Sequence, residues 1–209
     1  MAATRMIQPV MDNRDKQRTY RALLGKYNLA MKHEFYLQAI IIEYAMIEDR
    51  LRSMLYHMGF LANRTAHTVF KRTRPYLSEI VSEYKTENEN LQLGISNLSG
   101  KTKLIRCVMM WTAYAENAAK NDKFLIALKS QCEGMDVGAV LSALEDISKW
   151  SGYRNEIVHA LMNKNLDSLD AGLKEKAEEG MRLARLLDNQ EKVLKSGNRI
   201  RKSVNLPMN

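Results

Sequence analysis

Apolar residues recur along most of this chain at three- and four-residue intervals, the period of an amphipathic helix. Between Asp15 and about Ala30, the positions Tyr20, Leu23, Leu24 and Tyr27 predict a first helix with a basic outer face. The strongest stripe follows from Phe35 to Met58, through Leu37, Ile40, Tyr44, Ile47, Leu51 and Leu55, and Gly59 is placed to end it. A third helix is expected over 62–84, perturbed near Pro75, and the Asn-, Gly- and Ser-rich stretch 86–101 reads as a connection. Helical spacing resumes from Thr102 to Ala115, bends around 117–122 and resumes from Phe124 to Cys132. Asp136 then reads as the N-cap of a helix over 137–150. After Ser151 and Gly152 a new helix is expected to begin, with Ile157, Val158, Leu161 and Met162 on its apolar face and Asn163 to Asn165 closing it. A last long helix is expected from about Ser168 to Leu194 through Leu173, Ala177, Met181, Ala184 and Leu187.

Composition supports the same class. Prolines stand only at positions 9, 75 and 207, and strong helix formers dominate, so the chain reads as all-α. Residues 1–196 are expected to form a single helical domain with an N-terminal extension, and 197–209 a flexible basic C-terminal tail. Cys107 and Cys132 fit neither a disulfide framework nor a Cys-x-x-Cys site, and the first residues lack the apolar core of a signal peptide, which points to a cytoplasmic protein. The longest aliphatic run, Ala39 to Ile42, is too short to span a bilayer, so no membrane partner is expected. The formal charge of +8 favours polyanions, with RNA the first candidate. Its cations gather in three runs: Arg14, Lys16, Arg18 and Arg21; Lys71, Arg72 and Arg74; and Lys192, Lys195, Arg199, Arg201 and Lys202. Each run taken singly reads equally well as a solvated helix surface.

The stretch Arg154-Asn155-Glu156-Ile157-Val158-His159 changes the picture. It places a permanent cation, an amide and an imidazole within six residues. Arginine forks onto phosphate oxygens at any working pH, and histidine shuttles protons near neutrality, so these are the groups that metal-free RNA cleavage needs. Five residues along a helix turn a side chain by about 140° and raise it by about 7.5 Å, so Arg154 and His159 converge only if Arg154 leans inward from a first turn or two copies meet. Without further context the stretch reads first as a satisfied histidine on an apolar helix, with Arg154 and Asn155 capping or surface residues, and second as a site. His33, His57 and His67 have no zinc-ligand spacing, and no metal or cofactor is expected.

This stretch, RNEIVHALMN, resembles the HEPN superfamily, whose hallmark is an arginine, a polar residue directly after it and a histidine four to six residues further on. Arg154, Asn155 and His159 match those three positions. The segment IIIEYAMIEDRLRSML is similar to the long early helix of such proteins, with Glu48 four residues before Arg52. The resemblance implies an up-and-down bundle of long antiparallel helices that pairs about a two-fold axis with its motifs facing. It also implies a metal-independent endoribonuclease, used in phage defence, stress or a toxin–antitoxin system. RNA, a second copy sharing a composite active site, and a regulatory protein or antitoxin would be its partners. In that reading His159 is general base or acid, Arg154 holds the scissile phosphate, and Asn155 orients a phosphate or the imidazole. Proton transfer of this kind contributes about 10²–10⁴ in rate. Glu48 reads first as the ion-pair partner of Arg52 and second as a group that orients Arg154. Tyr153 is expected to pack near the helix start or to stack on a base. The alternative is a non-catalytic relative, an RNA- or nucleotide-binding domain or a protein-interaction module.

Overall fold

The period of the apolar positions is realised as helices throughout. The computed structural model describes residues 13–86, 93, 95–115, 122–160, 172–196 and 199–207, and no β-strand occurs among them. In chain order the helices are α1 (Asn13–Lys32), α2 (Tyr36–His57), α3 (Arg74–Tyr84), α4 (Leu98–Tyr114), α5 (Lys123–Cys132), α6 (Val137–Ala160), α7 (Leu173–Lys195) and α8 (Arg199–Ser203). No helix among the described residues is long and apolar enough to cross a membrane.

α2 is the central element because apolar residues occupy most of its circumference: Ile40, Met46, Ile47, Leu51, Met54 and Leu55 are all buried. A helix so enclosed needs neighbours on several sides, and α1, α4 and α7 supply them. α7 runs parallel to α2, since Gly180 lies at Glu43 while Glu191 further along reaches Ser53 and His57. α6 runs antiparallel to α7: the Asp136 amide donates to Gln190, Arg182 pairs with Asp146, and the Trp150 indole donates to the Lys176 carbonyl. α1 lies antiparallel along α2: Tyr20 sits under the Arg50 guanidinium, and Tyr27 two turns later lies near Glu43 two turns earlier.

The helix starts carry their own signals. Asn97 and Asp122 accept backbone N–H bonds at the starts of α4 and α5, and Asp136 accepts from Ala139, the N-cap role expected for it. α2 ends at Gly59, whose φ of +84° lies in the left-handed region that favours glycine.

Three expectations are corrected. Residues 62–73 are not helical: Asn63 turns the chain by accepting from both the amide and the hydroxyl of Thr65, Thr73 donates to the Gly59 carbonyl, and Pro75 falls in the first turn of α3. Ser151 and Gly152 do not separate two helices, because α6 runs through them. The tail is docked: across 199–207, Ile200, Arg201 and Leu206 are buried against the end of α2, with Ile200 and Leu206 over Gly59. The closing of the motif helix at 163–165, the bend at 117–121 and the first residues of the last helix lie outside the described residues.

Candidate functional site

Arg154, Asn155 and His159 stand on the last two turns of α6, at the end of a 24-residue helix rather than at the start of a short one. The helix survives Gly152 because buried residues recur on both sides of it, Ile147 and Trp150 before and Ile157 and Ala160 after, with half-buried Tyr153 and Arg154 bridging the gap. One glycine costs a helix only about 1 kcal/mol, less than one such buried side chain contributes.

Position around this helix decides what each residue faces. Arg154 borders the buried stripe on the side of α2, and its guanidinium carbon lies 4.4 Å from the centre of the Tyr44 ring. Its Nη1 donates to the Asn155 side-chain oxygen at 3.0 Å, while its Nε is buried without a partner. Stacking and a hydrogen bond thus fix the plane of the fork with most of its five donors unspent. Asn155 and His159 are exposed, and His159 is turned about 140° from Arg154 on the helix. Tyr153 is turned about 100° from Arg154, against the start of α7, with the Lys176 ammonium 5.3 Å from its ring centre. One protomer therefore brings Arg154 and Asn155 together and sets His159 one turn beyond Asn155 on the same face, turned away from Arg154.

Glu48 lies one turn beyond Tyr44 on α2, and its carboxylate bonds Arg52 at 3.2 Å and the Lys101 ammonium at 2.8 Å. Lys101 is fully buried and also donates to the Asn97 carbonyl, so Glu48 supplies the charge partner that lets the first turn of α4 pack on α2. Burial would raise the Glu48 pKa, but the bond and charge of Lys101, with those of Arg52, hold it below the usual carboxylate value. The residue that touches Arg154 is Tyr44, which sequence reasoning assigned only to the apolar stripe. Its signal was an aromatic ring at the edge of that stripe, one turn before an acidic residue.

The other polar interior lies at the far end of α2. There Glu191 accepts from Arg50 at 2.8 Å and from Ser53 at 2.7 Å, with His57 Nε2 3.3 Å away. Ser53 donates to the carboxylate rather than to the histidine and is fully buried, which is no arrangement for a nucleophile. Burial pushes the Cys132 thiol up to about 12, which keeps it an inert core residue. Among the described residues no three His, Cys, Asp or Glu side chains gather as metal ligands. No family model matches the chain, and no curated protein or solved structure matches it.

Proposed function

We propose that this chain is a metal-independent endoribonuclease of the HEPN type, built from Arg154, Asn155 and His159 of two copies. The observation that carries the reading is the fixed arginine fork, stacked on Tyr44 and bonded to Asn155, on the same helix end as an exposed histidine five residues on. The divergence of Arg154 and His159 on α6 asks for a second copy, whose His159 would stand near the first copy's Arg154. Val158, one turn beyond Arg154, and Ile41, one turn before Tyr44, are exposed apolar residues that would be covered by such a pairing.

In this mechanism one imidazole removes the proton of a ribose 2′-hydroxyl, and the oxygen attacks its own adjacent phosphorus. The bond from phosphorus to the 5′-oxygen breaks, and a protonated imidazole gives that oxygen its proton. The products are a 2′,3′-cyclic phosphate and a 5′-hydroxyl. Arg154 neutralises the charge that accumulates on the phosphate oxygens, and Asn155 holds Arg154 in place. The setting implied by the resemblance is defence, stress or toxin–antitoxin control, with a partner protein restraining the activity.

The divergence of the two residues also favours a second reading, a non-catalytic RNA- or nucleotide-binding module. One experiment separates them: labelled RNA is incubated in excess chelator with wild type, Arg154→Ala and His159→Ala. The ribonuclease reading expects cyclic-phosphate ends from the wild type, a loss of at least about 100-fold in each variant, and dimers in solution. Equal cleavage by all three proteins would sink it. RNA binding weakened in both variants with no product from any protein would establish the second reading instead.

A further inference from the structure

The three basic runs of the sequence are brought to one end of the bundle, the end that does not carry Arg154. Successive contacts trace them around it. Lys16 pairs with Asp49 on α2, and Arg50 beside it lies over Tyr20 and reaches Asp188, which pairs with Lys192 on α7. Beyond Lys192, His57 at the end of α2 feels the charges of both Lys195 and Arg64. Arg201 bonds the carbonyls of Tyr56, Leu61 and Ala62, and Arg72 Nη1 donates to the Asn205 carbonyl, which closes the circuit from the docked tail to the loop before α3.

Three carboxylates of this ring are engaged with its own cations: Asp49 with Lys16, Asp188 with Arg50 and Lys192, and Glu191 in the interior with Arg50. Beyond those pairs, Lys71, Arg74, Lys195 and Lys202 stand exposed, drawn from three separate segments of the chain. The exposed residues beside them include the small polar Thr65, Thr68 and Ser196, and the one large apolar side chain exposed near Lys195 among the described residues is Val193. A protein partner would need an apolar, charge-poor centre to bury. Cations from several segments around one end suit instead a flexible polymer of repeated negative charge.

We propose that this end of the bundle is the docking surface for an RNA sugar–phosphate backbone, separate from the motif on α6. From Tyr44, where Arg154 is stacked, to His57 is about 20 Å along α2. An RNA strand held here reaches the motif only if it extends along the bundle, so the surface selects for chain length. The inference rests on RNA being the ligand, as in the function proposed above, but not on cleavage.

The test is binding of labelled single-stranded RNA of about two dozen nucleotides to wild type, to Arg154→Ala, and to a protein carrying Lys71→Glu, Arg74→Glu, Lys195→Glu and Lys202→Glu together. The fourfold variant is expected to bind at least about tenfold more weakly, and the slope of log affinity against log salt is expected to fall by about 3. Arg154→Ala serves as the cleavage-deficient reference in the binding assay, and cleavage of a dinucleotide, which cannot span the distance, is expected to be the same in wild type and fourfold variant. Lysine acetylation of the wild type with and without RNA gives a readout that does not depend on the variant folding: Lys71, Lys195 and Lys202 are expected to be protected. Unchanged affinity in a folded fourfold variant, or no protection at these lysines, overturns the proposal while leaving the motif to be judged by cleavage. Binding of the wild type to anionic lipid vesicles with none to RNA overturns it in favour of a membrane surface.

Discussion

Arg201 shows how little a residue's neighbours in sequence reveal of its work. Beside Lys202 it reads as one more cation of a basic tail, yet its side chain is 1% exposed while that of Lys202 is in solvent. Its guanidinium donates to the carbonyls of Tyr56, Leu61, Ala62 and Pro207 at 2.6–3.1 Å and lies 3.9 Å from the centre of the Tyr56 ring. Backbone amides of Met58, Gly59 and Phe60 and the Gln131 side chain already serve the last carbonyls of α2, so Arg201 chiefly ties the loop carbonyls of Leu61 and Ala62 to the C-terminal segment. Burial among carbonyls lowers its pKa from the ordinary arginine value. Removing those bonds leaves the Leu61 and Ala62 carbonyls without this donor and empties the buried place of the guanidinium, and Arg201→Met is expected to cost about 3 kcal/mol in urea unfolding. Arg201→Lys should recover little, because one ammonium cannot fork onto carbonyls from separate turns. A loss below about 1 kcal/mol for Arg201→Met would show that the carbonyls find other donors.

At the scale of elements, the periodic signal located most helices, and it failed where the deciding contacts are distant. α2 was legible because its own side chains bury it, and Asp136 was legible as a cap because its partner is three residues away. The single helix α6 was not: Ser151 and Gly152 look like a break locally, and it is the packing of Trp150 and Ile157 on other helices that holds the register. The motif was legible as a spacing, but the face that Arg154 takes was not, since Tyr44 lies on another helix. Two glycines turn this into a paired prediction. A Cβ at Gly152 would meet nothing within 4 Å, so Gly152→Ala should stabilise by about 0.5–1 kcal/mol through backbone entropy. A Cβ at Gly180 would lie 2.7 Å from a Trp150 ring carbon and closer still to the Glu43 carboxyl, both held in the interior. Despite alanine's better helix propensity, Gly180→Ala should therefore destabilise by about 2 kcal/mol. Thermal melts of the two proteins should move in opposite directions; a shift the same way for both would mean that α6 and α7 can part without cost at Gly180.

At the scale of the whole molecule, the buried groups Glu43, Glu191 and His57 have effects on stability that run against one another. Glu43 is fully buried between α2 and α7, and neither oxygen has a hydrogen-bond partner. Burial raises its pKa to about 9, and the nearby Met181 backbone offsets only part of that. The folded protein therefore holds Glu43 neutral while the unfolded chain ionises it above its ordinary pKa, so this group's stability contribution is full in acid and is lost from about pH 4.5 until pH 9. Glu191 acts in the opposite sense: against the burial that would raise it, bonds from His57 and Ser53 and the charge of Arg50 hold its carboxyl far below the usual range. Its contribution is present above the ordinary carboxylate pKa and is lost as the pH falls below it. Burial lowers the His57 pKa as well, so stability is also lost as the pH falls below the ordinary histidine value until His57 itself protonates. Below the ordinary histidine value the His57 slope opposes that of Glu43, which predicts a maximum of stability in mildly acid solution, falling on both sides. Glu43→Gln removes the Glu43 slope alone. It should gain about 3 kcal/mol at pH 7 and move the maximum towards pH 9, with the His57 and Glu191 slopes in acid left unopposed. Melting temperatures of wild type and Glu43→Gln across this range check the assignment, and parallel curves would mean that Glu43 is ionised in the folded protein and that the α2–α7 interface solvates it.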